Sequence, residues 1–171
     1  MAQFVVEMTG YLADHLGRTE TTNFLTAFTE WRQAGGGLFD HRWFGWDNPY
    51  RRPEPTDKNA GWTLYHVHLE PFKPDPLDFQ HAEVGAFEAA QKNYDNWMRS
   101  KKKRRWRPTS DDVHVYAWDK GVTRPRFLLI DILMSPHAYK IAQMSTREDT
   151  ERMQAYLHVA EQYVFYGKIV M

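Results

Sequence analysis

The sequence contains no cysteine. That excludes disulfides and thiol chemistry and fits a reducing compartment. Net charge is absent too, because 22 Lys and Arg balance 22 Asp and Glu. Any binding to a polyanion must therefore come from a local basic patch, not from the field of the whole chain. No segment approaches the roughly 18 consecutive apolar residues of a membrane span. The first residues, MAQFVVEMTGYLADHLG, have neither the basic start nor the apolar run of a signal peptide. The expectation is a cytoplasmic protein with no membrane segment. GxGxxG, P-loop, HExxH, GxSxG and CxxC patterns are also missing, which removes the commonest nucleotide-binding, protease and hydrolase readings.

Aromatic residues, by contrast, are plentiful at 15% of the chain, with seven Trp. The one compositional anomaly is SKKKRRWRP, Ser100 to Pro108, preceded by Arg99. It gathers Arg99, Lys101, Lys102, Lys103, Arg104, Arg105 and Arg107 around Trp106. Such a run is either a solvated connector or an RNA contact. In the second case Trp106 stacks on a base and the cations neutralise phosphates.

At 171 residues the chain reads as one domain. Phe24, Leu25, Phe28 and Trp31 form one apolar face of a helix over Thr21–Gln33, closed by Gly35-Gly36-Gly37. Phe4 to Leu16 fits a strand or a short helix. Leu38 to Asn59, with Pro49, Pro53 and Pro55, reads as a long loop carrying FGWDNPY. Strands are expected over Trp62–Glu70, Asp112–Asp119 and Arg126–Met134, with Lys120-Gly121 as a turn. A helix is expected over Phe79–Arg99, with a core stripe of Val84, Phe87, Ala90, Tyr94, Trp97 and Met98. Two more helices follow, about His137–Met144 and Arg147–Phe165. The class is α+β, with a small, mostly antiparallel sheet, flanking helices and a helical, basic insertion at about 72–109.

Candidate chemistry starts at His66 and His68 in YHVHL. On a strand these two share a face, roughly 6–7 Å apart. Such a pair suits acid–base cleavage of a phosphodiester by the 2′-OH route, or metal binding, or neither. His114, Tyr116 and Trp118 share a face of the next strand, which is expected to be open or covered by something polar. His114 would then stand near the pair if the strands are neighbours. Asp131 interrupts RFLLIDILM and needs a partner, either a histidine or an arginine such as Arg126. His137 lies at a helix start. Asp47 and Tyr50 sit in FGWDNPY, where turn chemistry competes with function.

The order of these segments resembles the YafO family of toxins of type II toxin–antitoxin systems, related to the RelE/ParE group. The match runs through Phe44, Gly45, Asp47 and Tyr50, through His66, His68 and Leu69, through Asp111 and His114, and through Pro136 and His137, covering roughly residues 28 to 165. Phe72 to Thr109 is much longer than the corresponding connection in the family. The resemblance implies a RelE/ParE-like fold and an mRNA interferase that cuts mRNA on the ribosome and is silenced by a cognate antitoxin. It implies no metal or other cofactor. It makes His66 and His68 the acid–base pair, assisted by His114 and His137, with Asp47 and Tyr50 orienting a histidine or the RNA. Two other functions stay open: a non-catalytic toxin on the same fold acting on DNA gyrase, and a metal-dependent hydrolase using His66, His68 and His114.

Overall fold

The computed structural model describes residues 4–36, 43–54, 63–102, 108–121, 123–134 and 137–170, except for the side chain of His137. No helix among them is long and apolar enough to cross a membrane. The N-terminal piece is strand and helix in turn: β1 (Val5–Met8) and α1 (Gly10–Leu16). Thr9 makes the switch. Its hydroxyl donates to the Ile130 carbonyl at 3.0 Å and accepts from the Leu12 N–H, capping α1. Gly17, at φ 77°, ends α1 and lets α2 (Arg18–Gln33) begin at once. The buried residues of α2 are Ala27, Phe28 and Trp31, on the expected face.

FGWDNP is not a loop. Phe44–Pro49 is strand β2, antiparallel to β3 (Leu64–Leu69) at the edge of the sheet. An edge strand tolerates a terminal proline, because the missing N–H faces no partner strand. After β3 come a 3-10 turn (Pro76–Phe79), α3 (Ala86–Lys102), β4 (Val113–Asp119) and β5 (Arg126–Leu133). α4 (His137–Gln143) and α5 (Arg147–Tyr166) finish the fold. A Thr146/Asp149 capping box starts α5, and Gly167, left-handed at φ 65°, closes it. Strand order is β1-β5-β4-β3-β2, antiparallel except for the β1–β5 pair. This α+β architecture is compatible with a RelE-like fold.

Both faces of the sheet are covered. α4 and α5 bury Leu64, Val113, Val115, Ala117, Leu128, Ile130 and Leu133 against Met153, Tyr156, Ala160 and Tyr163. On the opposite face, α1 and α2 bury Tyr65, Val67, Tyr116, Phe127 and Leu129 against Leu12, Phe28 and Trp31. The His114–Tyr116–Trp118 face is thus not open: Phe28 of the α2 stripe packs on His114 and Tyr116, and the Arg32 guanidinium covers Tyr116 and Trp118.

The stripe expected on α3 is only partly core. Val84 precedes the helix and is fully exposed, and of the six stripe residues only Trp97 is buried. Trp97 docks α3 on the sheet edge. Gly45 of β2 faces its indole ring, and the Trp46 N–H donates to the Pro108 carbonyl at 3.0 Å. A Cβ on Gly45 would lie 2.3 Å from that carbonyl oxygen. Glycine is what permits the close approach.

Candidate active site

Alternation along β3 puts Leu64, His66 and His68 on the α5 face, and Tyr65 and Val67 on the α2 face. The register then sorts the candidate residues. His66 pairs with Val115, which in turn pairs with Asp131, so these line up across the α5 face. Tyr50 follows β2 on the same face, where its ring lies 4.4 Å from that of His66. The His66 and His68 rings are 5.2 Å apart and nearly perpendicular. Tyr50, His66 and His68 therefore form one cluster.

His114 is not part of it. It pairs with Val67, so it points to the α2 face, fully buried among Phe24, Phe28 and Tyr116. Its Nδ1 lies 2.9 Å from the Asp131 carbonyl. Asp47 is also on that face, and it orients no histidine. Its carboxylate pairs with Arg32 at 3.0 Å and accepts from the Tyr116 hydroxyl at 2.9 Å. The Arg32 guanidinium sits 4.5–5.1 Å from the ring centroids of Trp31, Tyr116, Trp118 and Phe127. A cation so enclosed needs its counter-charge, and Asp47 supplies it.

Asp131 does have a partner, but not Arg126, which pairs with Asp119 at 2.7 Å. Asp131 accepts from Arg152 at 3.1 Å and from the Tyr156 hydroxyl, a short contact, so α5 is tied to the sheet beside the histidines. Asp111 receives the Tyr139 N–H at 2.9 Å, in the first turn of α4, so the backbone of His137 starts a helix fastened to this region. The His137 side chain lies outside the described residues. So do Lys103, Arg104, Arg105, Trp106 and Arg107.

The cluster opens at His68. His68 lines an open cleft of about 540 Å³ whose other wall is α3, with Asn93, Asn96, Arg99 and Ser100, and whose floor is Thr109, Ser110 and Asp111. Arg99 is exposed, and its guanidinium is steadied by the Asn96 side chain at 2.7 Å. Lys101 and Lys102 continue the helix beyond it. The cleft thus joins a histidine of β3 to the described start of the basic run. Asn93, Asn96 and Ser110 were not legible as site residues. Their signal was two asparagines at i and i+3 in a helix interior, where asparagine competes with the backbone and is a poor helix former.

Burial governs the electrostatics. It lowers the His66 pKa to about 3, with a smaller push from neighbouring His68. It lowers that of His68 too, opposed by the Ser110 backbone contact and by Asp111. His114 is likewise lowered by burial to about 3. Burial, with Asp131 and Asp111 nearby, keeps the Tyr50 phenol protonated far above its usual range. At neutral pH both histidines of the pair are therefore free bases. A phosphate anion in the cleft would favour protonation of whichever ring it approached. Among the described residues no group of three or more His, Asp or Glu is placed to hold a metal ion. A set of His66, His68 and His114 is split by the sheet itself.

The family described as Toxin YafO, type II toxin-antitoxin system, matches residues 29–165. No curated protein and no solved structure matches the chain.

Proposed function

The chain belongs to the YafO family of type II toxin–antitoxin toxins, and from that premise we propose that it is an endoribonuclease cutting mRNA on the translating ribosome. A toxin of this type has a cognate antitoxin as its partner, and growth arrest is the outcome when the antitoxin is missing. The reading rests on one observation above all: the cleft that exposes His68 is walled by the basic end of α3.

The reaction is attack of a ribose 2′-oxygen on the adjacent phosphorus. His68, neutral at working pH, takes the 2′-OH proton as the O2′–P bond forms. The P–O5′ bond breaks, leaving a 2′,3′-cyclic phosphate, and the departing O5′ takes a proton. His66 delivers that proton, having taken one from solvent as the phosphate entered and raised its basicity, with Tyr50 packed against its ring. Arg99 faces the non-bridging oxygens, where charge accumulates in the transition state. Lys101 and Lys102, with Lys103 to Arg107 beyond the described residues, follow the RNA backbone. His137, at the start of α4, assists, whereas Asp47 and His114 act through the fold on the opposite face. No metal or cofactor enters this scheme, and the site of action is the cytoplasm.

Induced expression in a bacterial host tests the assignment. Growth arrest is expected from the wild-type chain, and its relief from the His66→Ala, His68→Ala double variant. An equally toxic double variant, expressed and folded, would remove the histidine pair from the chemistry.

A further inference from the structure

We infer that Asn93 is a positioning residue for His68, acting through the single peptide unit that joins Ser110 to Asp111. The Ser110 carbonyl oxygen lies 2.6 Å from His68 Nδ1. Two lone pairs cannot face each other at that distance, so a proton lies between them and Nδ1 is its donor. The Ser110 N–H also points at Nδ1, at 3.2 Å, a contact that would serve the other tautomer. The shorter contact decides for Nδ1–H. Nε2 then carries the lone pair that a base in the cleft requires.

The other end of the same peptide plane is the Asp111 N–H, which donates to Asn93 Oδ1 at 2.7 Å. A planar peptide has one orientation. Fixing its N–H toward α3 fixes its C=O toward His68. The two hydrogen bonds also polarise each other through the amide, so each strengthens the other. Around this plane the Ser110 hydroxyl shares its single proton between the Leu69 and Asp112 carbonyls, at 2.6 and 2.8 Å, and the Leu69 N–H donates to the Asp112 carbonyl at 2.7 Å. Those contacts fix the position of the segment. Asn93 reaches in from α3 and sets the tilt of the plane. This accounts for a buried asparagine in mid-helix: its carbonyl end is committed to the backbone that aims the histidine.

The effect on cleavage rests on the endoribonuclease reading, whereas the tautomer does not, so the experiment reads both. Nitrogen-15 NMR of the purified chain at neutral pH is expected to show His68 as the Nδ1–H tautomer. In Asn93→Ala, folding verified by circular dichroism, the signal should move toward the Nε2–H form that free histidine prefers. kcat for RNA cleavage should fall about tenfold with KM nearly unchanged, the size expected for a misaimed base. Asn93→Asp keeps the acceptor oxygen and should restore the tautomer and kcat, while raising KM because a carboxylate now faces the RNA. A wild-type His68 in the Nε2–H form overturns the inference, as does a folded Asn93→Ala with unchanged tautomer and kcat. If the tautomer shifts as expected while the wild type cuts no RNA, the positioning role stands and the nuclease reading falls.

Discussion

Gly45→Ala is the sharpest test of how α3 is joined to the sheet. The new Cβ would stand 2.3 Å from the Pro108 carbonyl oxygen and 2.8 and 2.9 Å from ring atoms Cζ3 and Cη2 of Trp97. A carbon and a carbonyl oxygen settle at about 3.3 Å or more, so an opening of about 1 Å is forced. Neither neighbour yields readily. Trp97 is fully buried, and the Pro108 carbonyl is tied to β2 by the Trp46 N–H. Overpacking of this kind costs about 1–3 kcal/mol. Loss of the backbone hydrogen bond adds about 1 kcal/mol. A total near 3 kcal/mol lowers Tm by about 10 °C in a chain of this size. Urea denaturation and a thermal melt measure it. Gly121→Ala is the control, because its Cβ would meet nothing closer than Asp119 Oδ1 at 3.6 Å, and it should unfold within about 0.5 kcal/mol of wild type. A Gly45→Ala protein as stable as that control would refute the interlock, and with it the claim that α3 is a fixed wall of the cleft.

Acid should destabilise the protein well before its carboxylates titrate. His66 and His114 are kept neutral in the fold down to about pH 3, whereas the unfolded chain takes protons near 6.5. The unfolded state thus binds more protons in that window. The stability from both rings is complete above pH 6.5 and is lost as pH falls toward 3, at up to about 1.4 kcal/mol per unit for each ring. Denaturation midpoints from pH 7 to 4 show the slope, and His114→Leu should reduce it by up to about 1.4 kcal/mol per pH unit, the share of one ring. The same variant should leave cleavage per folded molecule unchanged, since His114 lies across the sheet from the cleft; a specific loss of kcat would return it to the site. Arg99→Ala should weaken RNA binding and reduce the slope of log K against log salt by about 0.7, the loss of one phosphate contact, as read by fluorescence anisotropy at several salt concentrations.

Strands β3, β4 and β5 were legible because each is a bounded run rich in β-branched, aromatic and apolar residues, and a helix between Thr21 and Gln33 was legible from the spacing of Phe24, Phe28 and Trp31. β2 was hidden, because Gly45, Asp47, Asn48 and Pro49 are turn residues and only pairing with β3 makes them a strand. The shared face of His66 and His68 followed from period two. Which face His114 takes did not, because that depends on the β3–β4 register: a shift of one residue exchanges the faces. Asp47 looked like a site residue for a similar reason. Its partner Arg32 lies at the end of a helix, and nothing local announces a contact between them. The segment around α3 read as an addition with its own core stripe. Instead Trp97 anchors it to β2, and its polar side, with Asn93, Asn96 and Arg99, faces His68.

The most direct test of the account is primer extension on a reporter mRNA incubated with the purified chain, with and without translating ribosomes, beside a folded His68→Ala variant. Cuts that require ribosomes and vanish with His68→Ala are the predicted result. Equal cutting by His68→Ala, or an intact message in every lane, would contradict it.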